Sequence, residues 1–113
     1  MEGEMPFYMV QAKYDTESYK GLTSNPEDRG ATAAKLIEAA GGKLHAFYFA
    51  FGEYDTVIIV ETPDNVSVAA AVLAALAGGG QSTKTTPLMT REEGIEAMRK
   101  AASIASSWIR PGG

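Results

Sequence analysis

An α+β fold with the element order βαββαβ, plus one further helix, follows from three features of the sequence. Four segments rich in β-branched and aromatic residues are separated by turn residues. One helical stretch falls between the first and second of them and another between the third and fourth, and a last helical stretch closes the chain. Strands joined in this order form a four-stranded antiparallel sheet, the split-βαβ or ferredoxin-like arrangement.

Each element has its own justification. Residues 6–14, PFYMVQAKY, follow a proline with aromatic and β-branched side chains and read as a strand. The segment DTESYKGLTSNPED has turn residues throughout and reads as a loop ending in a helix start. Ser24 or Asn25 is the expected cap there, with Glu27 or Asp28 three positions later and Pro26 where a missing N–H costs nothing. That helix carries Ala33, Leu36, Ile37 and Ala40 as its apolar stripe, and Gly41-Gly42 stops it. KLHAFYFAF and TVIIVET are two strands of a hairpin joined by Gly52-Glu53-Tyr54-Asp55, a turn in which Gly52 is expected at positive φ. Pro63-Asp64 starts the second helix, whose inward stripe is expected at Val66, Ala69, Leu73, Leu76 and Ala77, before Gly78-Gly79-Gly80. QSTKTTPLMT is a weaker strand that Pro87 places at a sheet edge or bulge. The closing helix, from Arg91, is expected to turn Ile95, Met98, Ala102, Ala105 and Trp108 or Ile109 inward.

The central strands are apolar on both sides. Phe47, Phe49 and Phe51 alternate with Ala46, Tyr48 and Ala50, and Ile58 and Val60 alternate with Val57 and Ile59. A strand with one face in water alternates apolar with polar instead. Two helices cover only one face of such a sheet, so a second copy of the chain is the expected cover for the other, and a homodimer is the expected assembly. The uncharged run from Asn65 to Thr83 also marks the second helix as a contact surface, for the closing helix, another dimer or a neighbour's closing helix.

Composition narrows the function classes. With 113 residues, 45% apolar and 21% charged, the chain is a single globular domain. Fourteen acids against ten scattered bases give a net charge of −4, which argues against nucleic acid and against anionic membrane surfaces as partners. The absence of cysteine excludes disulfides, thiolate catalysis and iron–sulfur clusters. MEGEMPFYMV has no basic region followed by an apolar stretch, so no secretory signal is expected and the expected location is the cytoplasm. The run from Asn65 to Thr83 is too short to cross a bilayer.

MPFYMVQAKY at the start, GGKLHAFYFAFGEYDTVIIVETPDN in the middle and the βαββαβ order resemble the GYD domain family. Its signature, Gly-x-Tyr-Asp, is met by Gly52, Tyr54 and Asp55. The resemblance spans roughly residues 5–100 of the single domain 1–113, leaving MEGE and a tail from about residue 101 as extensions. It implies a dimeric α/β-barrel in which two sheets pack face to face. It implies no one activity, because proteins of this architecture include cofactor-independent monooxygenases, isomerases, haem-handling enzymes and plain ligand-binding modules.

Few residues are equipped for chemistry. His45 is the one histidine, expected on the Phe47 and Phe49 face near the strand's start; a half-exposed rim histidine is as natural there as an acid, base or haem ligand. Glu61 and Lys13 are charged within apolar strands that this topology makes neighbours, and are read as a pair, either exposed at a strand end or lining a polar patch with Tyr48. His45, Tyr48 and Glu61 are therefore the catalytic candidates. Tyr14, Tyr54 and Asp55 are the ligand-binding candidates, with Tyr19 near Tyr14, although Tyr54 and Asp55 also suit a plain turn. No metal-ligand spacing, phosphate loop or nucleophile motif appears, so no metal or cofactor is expected. Two readings remain open: a non-catalytic homo-oligomeric module that binds a small molecule or serves assembly, and a small cofactor-independent oxygenase or isomerase with a pocket between sheet and helices.

Overall fold

The computed structural model describes residues 5–113; the MEGE extension lies outside the described residues. The elements are β1 (Phe7–Tyr14), α1 (Thr16–Ser24), α2 (Arg29–Ala39), β2 (Lys43–Phe49), β3 (Thr56–Glu61), α3 (Asn65–Gly78), β4 (Gln81–Leu88) and α4 (Arg91–Ile104), followed by a 3-10 turn at Ala105–Ser107. The strands pair in the order β2-β3-β1-β4, each neighbour antiparallel, which is the ferredoxin-like sheet. β4 is an edge strand, and Pro87 lies in it opposite Tyr8.

The register sorts the side chains onto two faces. Tyr8, Val10 and Ala12 of β1 stand beside Val60, Ile58 and Thr56 of β3, all turned toward the helices. Tyr8, Val10, Ile37, Val60, Val68 and Ala71 form the buried core, with Leu36, Ala40, Leu44, Ile58 and Val72 packed against it. The Tyr8 hydroxyl donates to Asn65 Oδ1 at 2.5 Å, which ties β1 to the first turn of α3. At the end of α2, Gly41 takes φ +86° and Gly42 N–H bonds the Ile37 carbonyl. A side chain at Gly42 would run into the Glu61 carbonyl, so β2 can start this close to the end of β3 only from glycine.

Several expectations are corrected. The segment after β1 is a helix, not a loop: Asp15 accepts the Ser18 N–H at 2.8 Å as an N-cap, and α1 runs to Ser24. The cap of α2 is Asp28, which accepts from Ala31 N, rather than Ser24 or Asn25. Gly52 does not take positive φ and has open space around it, so the β2–β3 turn is unstrained there. Asp64 does cap α3, but the helix turns Val68, Ala71, Val72 and Ala75 inward and leaves Val66, Ala69, Leu73, Leu76 and Ala77 outward. With nearly every position apolar, periodicity had no polar face to lock onto. The stripe of α4 is likewise exposed, because that helix packs on no other element of the described residues beyond the turn that follows it and a few stray contacts.

Candidate functional site

A chamber of about 110 Å³ remains between the sheet and helices α2 and α3. Its walls are Val10, Ala12, Ile58 and Phe47 from the sheet, Ala33, Leu36 and Ile37 from α2, and Ala71, Val72 and Ala75 from α3. Ala33, Ala71 and Ala75 are too small to fill the gap that the larger Leu36, Ile37, Val72 and Phe47 leave between them. Tyr14, Arg29, Thr32, Thr56, Gln81 and Thr83 supply the polar part of the lining. A second, more polar cleft of about 290 Å³ lies between α1, the start of α2 and the Gly79–Gly80 link, and Tyr14, Arg29 and Gln81 belong to both walls. These three residues are the neck between an apolar chamber and a polar mouth.

The neck is held by the end of the GYD-like turn. Asp55 Oδ2 accepts the Tyr14 N–H at 2.8 Å, and the Asp55 N–H donates to the Ala12 carbonyl at 2.8 Å. The Tyr14 and Tyr19 rings meet edge to face with centroids 5.7 Å apart. Hydrogen bonding to Asp55 pushes the Tyr19 hydroxyl up to about 12, assisted by desolvation. The same bond from Tyr19, then the Tyr14 N–H, holds the Asp55 carboxyl below the usual carboxylate range against desolvation. Asp55 thus fastens β1, the turn and α1 together. The Asp15 N–H and the Ser18 hydroxyl both bond the Gly80 carbonyl, at 2.9 Å each, which closes the cleft's floor.

The catalytic candidates lie elsewhere. A β-bulge between Leu44 and Ala46 turns His45 to the open sheet face, away from Phe47, which packs under α2 beside Gly30. There His45 Nε2 lies 2.8 Å from Glu61 Oε1, and its ring stands 5.0 Å from that of Phe7. Tyr48, opposite Val57, is on the same open face and exposed. Lys13 does not meet Glu61: the register sets Glu61 opposite Phe7, at the other end of β1, and Lys13 Nζ reaches the Glu53 carbonyl at 3.5 Å. Tyr54 is half-buried in the turn. Of the six residues singled out from the sequence, only Tyr14 lines the chamber. Arg29 and Gln81 were missed because they open α2 and β4, elements far apart in the chain, and neither has a local motif. Among the described residues, no group of three or more His, Cys, Asp or Glu is placed to hold a metal, and no helix is long and apolar enough to cross a membrane.

The model of the GYD domain matches residues 8–98, which covers the sheet, α1 to α3 and half of α4. The chain belongs to the GYD domain family. No curated protein matches it. Among solved structures, one titled as the crystal structure of MtbAldR superposes with a TM-score of 0.52 at 17% identity, over 76% of this chain and 52% of that one. The chain therefore spans about half the length of that protein, and the likeness shows the shared fold. In this member the aspartate of the GYD signature secures the neck of the chamber, while Gly52 sits on an open turn.

Proposed function

We propose that this GYD domain is a non-catalytic, homo-oligomeric module that binds a small molecule in the chamber between the sheet and α2/α3. The observation that carries the reading is the apolar chamber with Arg29, Tyr14 and Gln81 at its neck. Its volume is comparable with an apolar protein cavity of about 150 Å³ that takes up benzene. The fitting ligand is a small apolar group with one polar or anionic end directed past Arg29 into the cleft. The separation of His45, Glu61 and Tyr48 from this space supports binding rather than turnover. The homo-oligomer is supported by the open sheet face, where Phe7, Met9, Ala46, Val57, Ile59 and Leu88 are only half-covered within one chain.

Native mass spectrometry of the intact protein and thermal shifts with benzoate and octanoate test the reading. Expected are a retained mass or a rise in Tm, either of which disappears in Ala75→Leu, a folded variant with the chamber filled. No retained mass, no shift with either probe and a stabilised Ala75→Leu protein would show an unused packing gap. A second reading, a proton-transfer enzyme, is favoured by the 2.8 Å His45–Glu61 pair, a base oriented by a carboxylate. It places the reaction on the open face, against a second subunit, and predicts activity that survives Ala75→Leu and is lost in His45→Gln.

A further inference from the structure

Two apolar helix faces have no cover among the described residues. The outward side of α3 presents Val66, Ala69, Ala70, Leu73 and Ala77, with Val66 76% and Leu73 64% exposed. No charged residue occurs anywhere from Asn65 to Thr83, whereas a helix facing water normally carries several. On α4, Ile95, Met98 and Ala102 recur at helical spacing and Ala105 continues the row, with Met98 and the nearby Trp108 each 71% exposed. At 100° per residue Glu93, Glu96 and Lys100 fall on the opposite arc, Glu92 and Arg99 flank the stripe, and Arg91 lies on the stripe's side only at the first residue of the helix. The helix is amphipathic, and Ile95, Met98, Ala102 and Ala105 on its apolar side are all exposed.

The arm stands off because of how it begins. Only Met89 and Thr90 separate β4 from α4, and a capping box fixes the exit: Thr90 Oγ1 accepts the Glu93 N–H at 3.0 Å, and Glu93 Oε1 accepts the Thr90 N–H at 2.8 Å. The consequence is an elongated molecule of 58 × 39 × 22 Å with a radius of gyration of 17.8 Å. A compact chain of this length has about 13 Å.

We propose that α4 is an exchange arm whose apolar stripe docks on the outward face of α3 in a second copy of the chain. The two faces are complementary. α4 brings bulky Ile95, Met98 and Trp108, while the alanines of α3 let a helix approach closely and supply the hollows between Val66 and Leu73. Both helices have 14 residues and so run about 21 Å, matching end to end. Reciprocal exchange about a two-fold axis satisfies both faces twice in one assembly. A lipid surface is the weaker occupant, since the polar arc of α4 holds Glu92, Glu93 and Glu96 against Arg99 and Lys100, where a membrane-lying helix carries a basic face. The inner side of α3 roofs the chamber, so a docked arm would brace that roof from outside.

The chain has no cysteine of its own, which makes cross-linking clean. Met98 and Leu73 lie near the midpoints of α4 and α3 and meet whichever way the helices run. Full-length Leu73→Cys and Met98→Cys proteins are mixed in equal amounts, oxidised and run without reductant; a tag of different size on one marks the mixed dimer. The expected result is a dominant mixed dimer, and a roughly halved sedimentation mass for full-length Ile95→Glu plus Met98→Glu. The Leu73→Cys/Met98→Cys double variant cross-linking as a monomer would overturn the proposal in favour of fold-back within one chain. Absence of the mixed dimer, or an assembly unaffected by Ile95→Glu plus Met98→Glu, would overturn it as well. So would sedimentation of the intact protein, but not the Ile95→Glu plus Met98→Glu variant, with neutral phosphatidylcholine vesicles.

Discussion

On the helix side of the sheet, Tyr8, Val10 and Val60 are sealed under α2 and α3, and the chamber beside them is lined mostly by apolar residues. On the open side, Phe7, Met9 and Ile59 stay half-exposed around His45 and Glu61, the pair best equipped for proton transfer. The same four strands therefore carry a chamber lined by no histidine or carboxylate on one face and the His45–Glu61 pair on the other. The difference teaches where each kind of function can reside. A molecule in the chamber would need only this chain to hold it, whereas chemistry at His45 would need a second surface to enclose it.

The largest effect that sharpens this contrast is expected where β2 meets β3. Gly42→Val forces a side chain against the Glu61 carbonyl and should cost about 3 kcal/mol or more in urea unfolding, while Gly52→Val, on the open turn, should stay within about 0.5 kcal/mol. Equal costs at the two glycines would break the distinction between close approach and free turn.

Adjacent residues of β3 probe the two faces directly. Val60→Ala should lower stability by about 2–3 kcal/mol, because its side chain is wholly enclosed. Ile59→Lys should leave the fold intact and lower the mass of the assembly by removing the sheet-to-sheet contact, as read by light scattering at micromolar concentration. An Ile59→Lys protein that keeps its mass would show that the open face is not a contact surface.

At the neck, pH separates the two partners of one contact. Asp55 titrates below its ordinary range in the fold, so its contribution is present above the unfolded value of about 4 and is lost as pH falls through that value toward the lower folded one. Tyr19 is raised to about 12 from an ordinary 10.0, so its contribution is complete below about 10 and is lost as pH climbs from there toward 12. Thermal melts across pH should therefore show an acid limb flattened by Asp55→Asn and an alkaline limb flattened by Tyr19→Phe. Unchanged limbs in both variants would remove the Asp55–Tyr19 contact as a fastening of the neck.

The smallest effect is expected on the open face. His45→Ala removes a partly exposed ion pair with Glu61 and should change stability by less than about 1 kcal/mol in the isolated chain. A larger loss, measured on the Ile59→Lys background, would mean that His45 supports the fold itself.

β-Branched and aromatic runs made the strands and their two apolar faces legible, and runs of glycine marked the ends of two helices. The neck was less so. Asp15-Thr16-Glu17-Ser18 suits a turn as well as a helix cap; contacts of this segment with Gly80 and Asp55, both distant in sequence, favour the cap. His45 was placed on the wrong face because a bulge shifts alternation by one residue, and nothing in KLHAFYF announces a bulge. The inward side of α3 was unreadable because apolar residues surround the helix, and α4 was expected to turn its apolar stripe inward although nothing in its own pattern says what that stripe packs against.

The position of Pro87 has a consequence for how these molecules can accumulate. An outermost strand is a template on which further strands can be laid, and a repeating succession of such additions is a fibril. β4 is such a strand, yet at Pro87 it has no amide hydrogen to offer a newcomer, and exposed Lys84 adds charge along its length. Edge-to-edge growth is disfavoured on this side, so the exposed apolar faces of the helices and sheet are kept separate from the strand edge as a route to association.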